Sequence, residues 1–159
     1  MSDPLATYLQ DHLAGAELAI DMLHALHEQH GETPLGRFAA DLVEDIETDR
    51  ATLKDIADRV GDGSSTLKEA TAWVGEKLSR LKLHARLSGA LGTFETLETL
   101  GLGILGKQAL WRALAEVAAS DARLRGVDFG ELAERARAQH ARVETWRIEA
   151  ARTALRAAA

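Results

Sequence analysis

The chain has no cysteine among its 159 residues, which excludes disulfides, zinc–thiolate centres and thiol nucleophiles. It has two prolines, so little interrupts long helices. Aromatic residues make up 4% of the chain, too few to interleave with its basic residues as a base-stacking surface. Net charge is −6, against nucleic acid as the main partner. No apolar run approaches the ~20 residues of a membrane span, because the stretch LGLGILG at 100–106 lies between Glu98 and Lys107. The first residues, MSDPLATYLQDHL, lack the basic segment and apolar core of a signal peptide. These absences predict a soluble, cytoplasmic protein with neither nucleic acid nor membrane as partner.

What remains is helix-forming. Hydrophobic residues account for 46% and charged residues for 28%, with alanine, leucine, glutamate and arginine dominant. No segment alternates as a strand would. One all-α domain over 1–159 is expected, with helices at about 5–30, 34–60, 66–87, 90–119 and 128–157. Apolar seams stepping by three and four residues set four of these spans. They are Leu9, Leu13, Ala16, Ile20, Leu23 and His27 in the first, and Ala39, Leu42, Ile46, Asp49, Leu53, Ile56 and Val60 in the second. The third has Leu67, Val74, Leu78 and Leu81, and the last Phe129, Leu132, Ala136, Gln139, Val143, Trp146 and Ala150. Gly31 marks a stop, Thr33-Pro34 a restart, and Thr66…Glu69 and Asp128…Glu131 are capping-box starts. The short turn after Gly31 makes the first two helices antiparallel. The helix at 66–87 would then carry the chain back as a crossover.

The segment Leu91–Val117 is apolar on every side, which predicts a helix enclosed by its neighbours. It nevertheless carries Glu95, Glu98 and glycines at 101, 103 and 106. Those glycines match G-x-G-x-x-G, but a dinucleotide site needs a strand before the turn, and none is available. They are read as devices for close helix approach, with an apolar-ligand pocket beside them as a weaker possibility. His27-Glu28-Gln29-His30 is one residue short of the H-E-x-x-H zinc motif. His24, His27 and His30 instead suit the negative end of the first helix dipole. Trp73, Trp111 and Trp146 are expected in packing roles, and no catalytic residue is assigned.

Charge is unevenly spread. Residues 1–62 hold fourteen acids against four bases, and residues 63–159 eleven against fifteen. Attraction between the two halves is the simpler expectation, and a homodimer the sharper one. Acids on or beside the seams are costly unless paired, neutralised or bound to metal. Glu17, Asp49, Glu95 and Glu98, with His140, are therefore candidate ligands for Fe or Mn. The alternative is an internal salt-bridge network.

This layout and these acids resemble a ferritin-like domain, nearest to the small bacterial stress-associated proteins of that family. The resemblance implies an antiparallel four-helix bundle with an additional crossover helix. It also implies a dinuclear centre built from a Glu on two helices and Glu-x-x-His on the other two. Glu17 and Glu98 (or Glu95) could fill the single-Glu places. The paired motifs differ: Ile46-Glu47-Thr48-Asp49-Arg50 and Val143-Glu144-Thr145-Trp146-Arg147 both end in arginine, which cannot ligate a metal. The expectation is a non-catalytic bundle whose metal site has degraded into salt bridges among Glu47, Arg50, Glu144 and Arg147. The alternative is a carboxylate bundle that oxidises or stores iron or manganese. The small-molecule or protein partner is left open.

Overall fold

A computed structural model describes residues 3–61 and 89–157. They form four long helices and no strand: α1 (Pro4–His30), α2 (Pro34–Val60), α3 (Ala90–Ala118) and α4 (Phe129–Ala154). A short 3₁₀ turn at Ala122–Leu124 joins α3 to α4. The expected helix at 66–87, its Thr66…Glu69 cap and Trp73 lie outside the described residues.

The helix ends follow their local chemistry. Asp3 caps α1 by accepting from the Leu5 N–H at 2.9 Å, with Pro4 in the first turn. Gly31 ends α1 at φ +52°, where a side chain would be strained. Thr33 caps α2 by accepting from Gly36 N–H at 3.2 Å, and Asp128 caps α4 by accepting from Glu131 N–H at 2.9 Å. The turn between α1 and α2 is so tight that a Cβ on Gly36 would lie 1.9 Å from the Gly31 carbonyl oxygen.

All four helices contribute to one apolar core. Every seam residue of α2 is buried, including Asp49, as are Phe129 through Val143 of the α4 seam. At one end of the molecule Arg123 joins Asp3 at 2.5 Å and the Val60 carbonyl at 3.4 Å. At the other, His27 Nδ1 lies 2.9 Å from the Gly36 carbonyl and His30 Nε2 lies 3.0 Å from Thr93 Oγ1. Phe38 packs on Trp146 near this end, with ring centroids 5.6 Å apart.

The expectation of an enclosed α3 is corrected. Phe94, Leu97, Leu100, Ile104, Leu110, Trp111 and Leu114 are buried, but Leu91, Leu102, Leu105 and Val117 are exposed, Leu102 by 66%. The exposed side of α3 mixes these apolar residues with Glu98, Thr99, Arg112 and Glu116, so no purely polar stripe marks it in the sequence. No helix among the described residues is long and apolar enough to cross a membrane.

Candidate functional site

Three helices each carry one polar residue on the seam, and the three meet. Asp49 is the buried acid of the described residues, at 2% exposure, and it comes from α2. Lys107 belongs to the α3 sequence Leu100, Ile104, Lys107, Trp111, Leu114, which steps like a seam. Gln139 lies on the buried side of α4. The Lys107 ammonium donates to Asp49 Oδ2 at 2.6 Å and to Gln139 Oε1 at 2.5 Å. Gln139 Nε2 donates to the same Asp49 oxygen at 2.9 Å. Arg135 Nη2 lies 3.1 Å from Asp49 Oδ1, close enough for ion pairing but not aligned for a hydrogen bond.

At Lys107 burial acts more strongly than pairing does. It pushes the Lys107 pKa below its ordinary value, and the nearby Asp49 charge and hydrogen bond only partly restore it. The pair is therefore held together at a desolvation cost. A buried ion pair of this kind is weak evidence for added stability, because desolvation offsets much of the attraction.

The other sequence candidates are distributed along the bundle. Glu17 pairs with Arg50, so α1 and α2 meet at the level expected for Glu17 and Asp49, although the partner is the residue after Asp49. Glu98 pairs with Arg147 at 3.0 Å, and Arg147 also holds Glu144 at 2.7 Å. Hydrogen bonding from Arg147 holds the Glu144 carboxyl below its ordinary pKa. Arg147 also sits over the Phe94 ring, 5.9 Å from its centroid. Glu47 is exposed and Glu95 half-buried. His140 faces α3 at Gly101, where a Cβ would be 3.8 Å from the His140 Nε2. Among the described residues, no three His, Asp or Glu side chains gather closely enough to hold a metal ion.

A cavity of about 80 Å³ opens next to the cluster, between α1, α2 and α3. Asp49, Arg50, Lys107 and Trp111 are among its polar lining residues, and Gly15, Ala16, Ala19 and Gly103 are its small ones. His12 also lines it, and burial pushes the imidazole pKa down. The expected room beside the α3 glycines is thus present, but its lining is mixed rather than apolar throughout.

Lys107, Gln139 and Arg135 were not among the candidates drawn from sequence. Lys107 and Gln139 could have been found by the rule that singled out Asp49, a polar residue where the seam expects an apolar one. Arg135 lies off the seam and had no such signal. No family model, curated protein or solved structure matches the chain.

Proposed function

We propose that the protein is a ferritin-like bundle that acts by binding or assembly rather than catalysis, with protein cations standing where the family holds a dinuclear metal centre. The observation carrying this reading is the Lys107–Asp49 pair. An ammonium 2.6 Å from the buried carboxylate supplies the positive charge that an inward-facing acid requires. Arg50 on Glu17 and Arg147 on Glu98 do the same for the acids in the single-Glu places. Asp49, Glu17 and Glu98 are thereby each engaged by a cation of the protein itself.

The family reading is also supported by the end contacts. Asp3, Val60 and Arg123 meet at one end, and His30, Gly36, Thr93 and Trp146 lie toward the other. This is the order in which α1 and α4 run one way and α2 and α3 the other. Val60 and Ala90 then lie toward opposite ends of the bundle, a separation of the order of the ~40 Å length of a 27-residue helix, which is the arrangement that a ferritin-like topology requires of its second and third bundle helices.

The test is metal analysis of the purified protein after incubation with Fe(II), Mn(II) or Zn(II), together with melting curves. The expected result is no stoichiometric metal and an unchanged melting temperature. Metal bound in whole-number stoichiometry and lost in Glu98→Ala would overturn the reading in favour of a carboxylate oxidase or storage protein.

A further inference from the structure

The large apolar side chains that α3 leaves in solvent are not scattered. At 3.6 residues per turn, Leu102, Gly106, Ala109, Ala113 and Val117 fall in one row, on the side of α3 turned away from Trp111. Leu105 lies directly beside that row. Leu102 is 66% exposed, Leu105 and Val117 42% each, and Ala109 and Ala113 are exposed as well. The steps of four, three, four and four are those of a helix-pairing seam, and no polar residue interrupts them. Contiguous exposed apolar surface of this kind marks an interaction site, whereas single exposed leucines do not. The glycines of α3 agree. A Cβ on Gly101 would come within 3.8 Å of His140 and Val143, so glycine there serves the contact with α4. A Cβ on Gly106 would meet nothing within 4 Å. Glycine inside a helix is destabilising, and no contact among the described residues calls for it at 106.

Shape and charge point to one occupant. A second α3 crossing antiparallel, with the two-fold axis between Leu105 and Gly106, puts Leu102 opposite Ala109 and Leu105 opposite Gly106. Large side chains then meet small ones at each level. Glu98 and Arg112 are both exposed and flank the row on the same side, one toward each end. The same register brings Glu98 beside Arg112 of the other copy, twice by symmetry. Parallel pairing would instead set Glu98 against Glu98 and Arg112 against Arg112. Glu95 and Glu116 approach each other only at the rims of the antiparallel pair, where solvent and salt screen like charges.

We propose that the outer face of α3, from Glu98 to Ala113, is the self-complementary interface of an antiparallel homodimer. The two leucines of each copy fill the space over the glycine and alanine of the other, and the Glu98–Arg112 pairs set the direction. The interface stands on the surface of α3 alone and does not depend on the ferritin-like reading.

The experiment is sedimentation velocity of the full chain over a concentration series. A reversible dimer is the expected result. Leu102→Arg should raise its dissociation constant by about thirtyfold, the effect of losing one hot-spot residue. The circular dichroism spectrum should not change, because position 102 is exposed in the single chain. Arg112→Glu should weaken association severalfold, and adding Glu98→Arg should restore it, since the swap rebuilds both pairs. The chain has no cysteine of its own, so Gly106→Cys should link two copies through a short bismaleimide, whereas Val117→Cys, far from the axis, should not. A monomer at every concentration, a dimer indifferent to Leu102→Arg, no rescue by the charge swap, or linkage at 117 rather than 106 would each overturn the proposal. So would a monomeric parent in which Leu102→Arg lowers the melting temperature, which would show the face covered within the chain itself. Metal uptake would sink the functional reading above and leave the dimer mass unaffected.

Discussion

Two ion-pair clusters tie the helices together, and they differ in where they sit. Asp49, Lys107, Gln139 and Arg135 meet inside the bundle, where the Asp49 and Lys107 side chains are 2% and 14% exposed. Asp3, Arg123 and Asp121 meet at one end, where the same chemistry operates at 23–39% exposure. Both clusters connect segments distant in sequence. In the first, water is largely excluded around Asp49 and Lys107, so these two become obligatory partners, while the Arg135 side chain that reaches Asp49 is 37% exposed. In the second, water can take the place of a lost partner. Short distances are common to both and do not distinguish them. Burial therefore sets the expected cost of losing a partner, large at Asp49 and Lys107 and small at the end cluster.

Removing one buried partner is the most direct way to break this comparison. Lys107→Ala should cost about 3–5 kcal/mol in urea unfolding, because Asp49 is left in the core with its main counter-charge gone. A loss no larger than that of a surface pair would show that water reaches Asp49 and that the two clusters are equivalent. Replacing both partners together, as Asp49→Leu with Lys107→Met, should restore stability to within about 1 kcal/mol of the parent or raise it. The depressed Lys107 pKa supports that direction, since it shows burial outweighing the attraction to Asp49. If the double variant is as unstable as the single one, the cluster contributes net stability and the comparison must be redrawn.

The end cluster can be read through pH. Hydrogen bonds from the Arg123 side chain, then its backbone N–H, hold the Asp121 carboxyl at about 2 against an ordinary value of 3.8. The folded state therefore binds fewer protons than the unfolded state across that interval. Its contribution is complete above about pH 4 and is lost as pH falls through about 2. Asp121→Asn should flatten this part of the acid-unfolding profile, measured by circular dichroism. An unchanged profile would remove the cluster from the acid response. The smallest effect is expected at Arg147→Ala, which opens the exposed pairs to Glu98 and Glu144 and should shift the melting temperature by little more than the error of the measurement.

Much of the fold was legible because helical periodicity survives in a single sequence. All seven seam positions proposed for α2 are buried, and the Gly31, Thr33 and Asp128 helix signals act as such. Asp49 stood out because it interrupts an otherwise apolar seam. Arg50 pairs with Glu17 on α1 rather than with Glu47 on its own helix, and Arg147 with Glu98 and Glu144. The remainder depends on helix rotation. On α3, apolar residues on every side concealed which face is buried, and Leu102 and Leu105 were wrongly placed inside. The same apolar background obscured Lys107, whose long side chain reaches the core from a position that reads as the end of an apolar run. Arg135 approaches Asp49 from beside the seam, a relation that no spacing within α4 encodes.

The turn at Gly31–Gly36 sets a length scale for all of this. The backbone there passes so close that position 36 has no room for even a methyl group, and the His27 ring lies against the carbonyl of the same residue. Such a closure leaves α1 and α2 no freedom to slide along each other. It acts as the zero mark of a ruler: residues on the two helices face one another at heights fixed by counting outward from it. Glu17 meets Arg50 because each lies about the same number of residues from that mark, and the floor of the cavity inherits its position from a contact more than a dozen residues away.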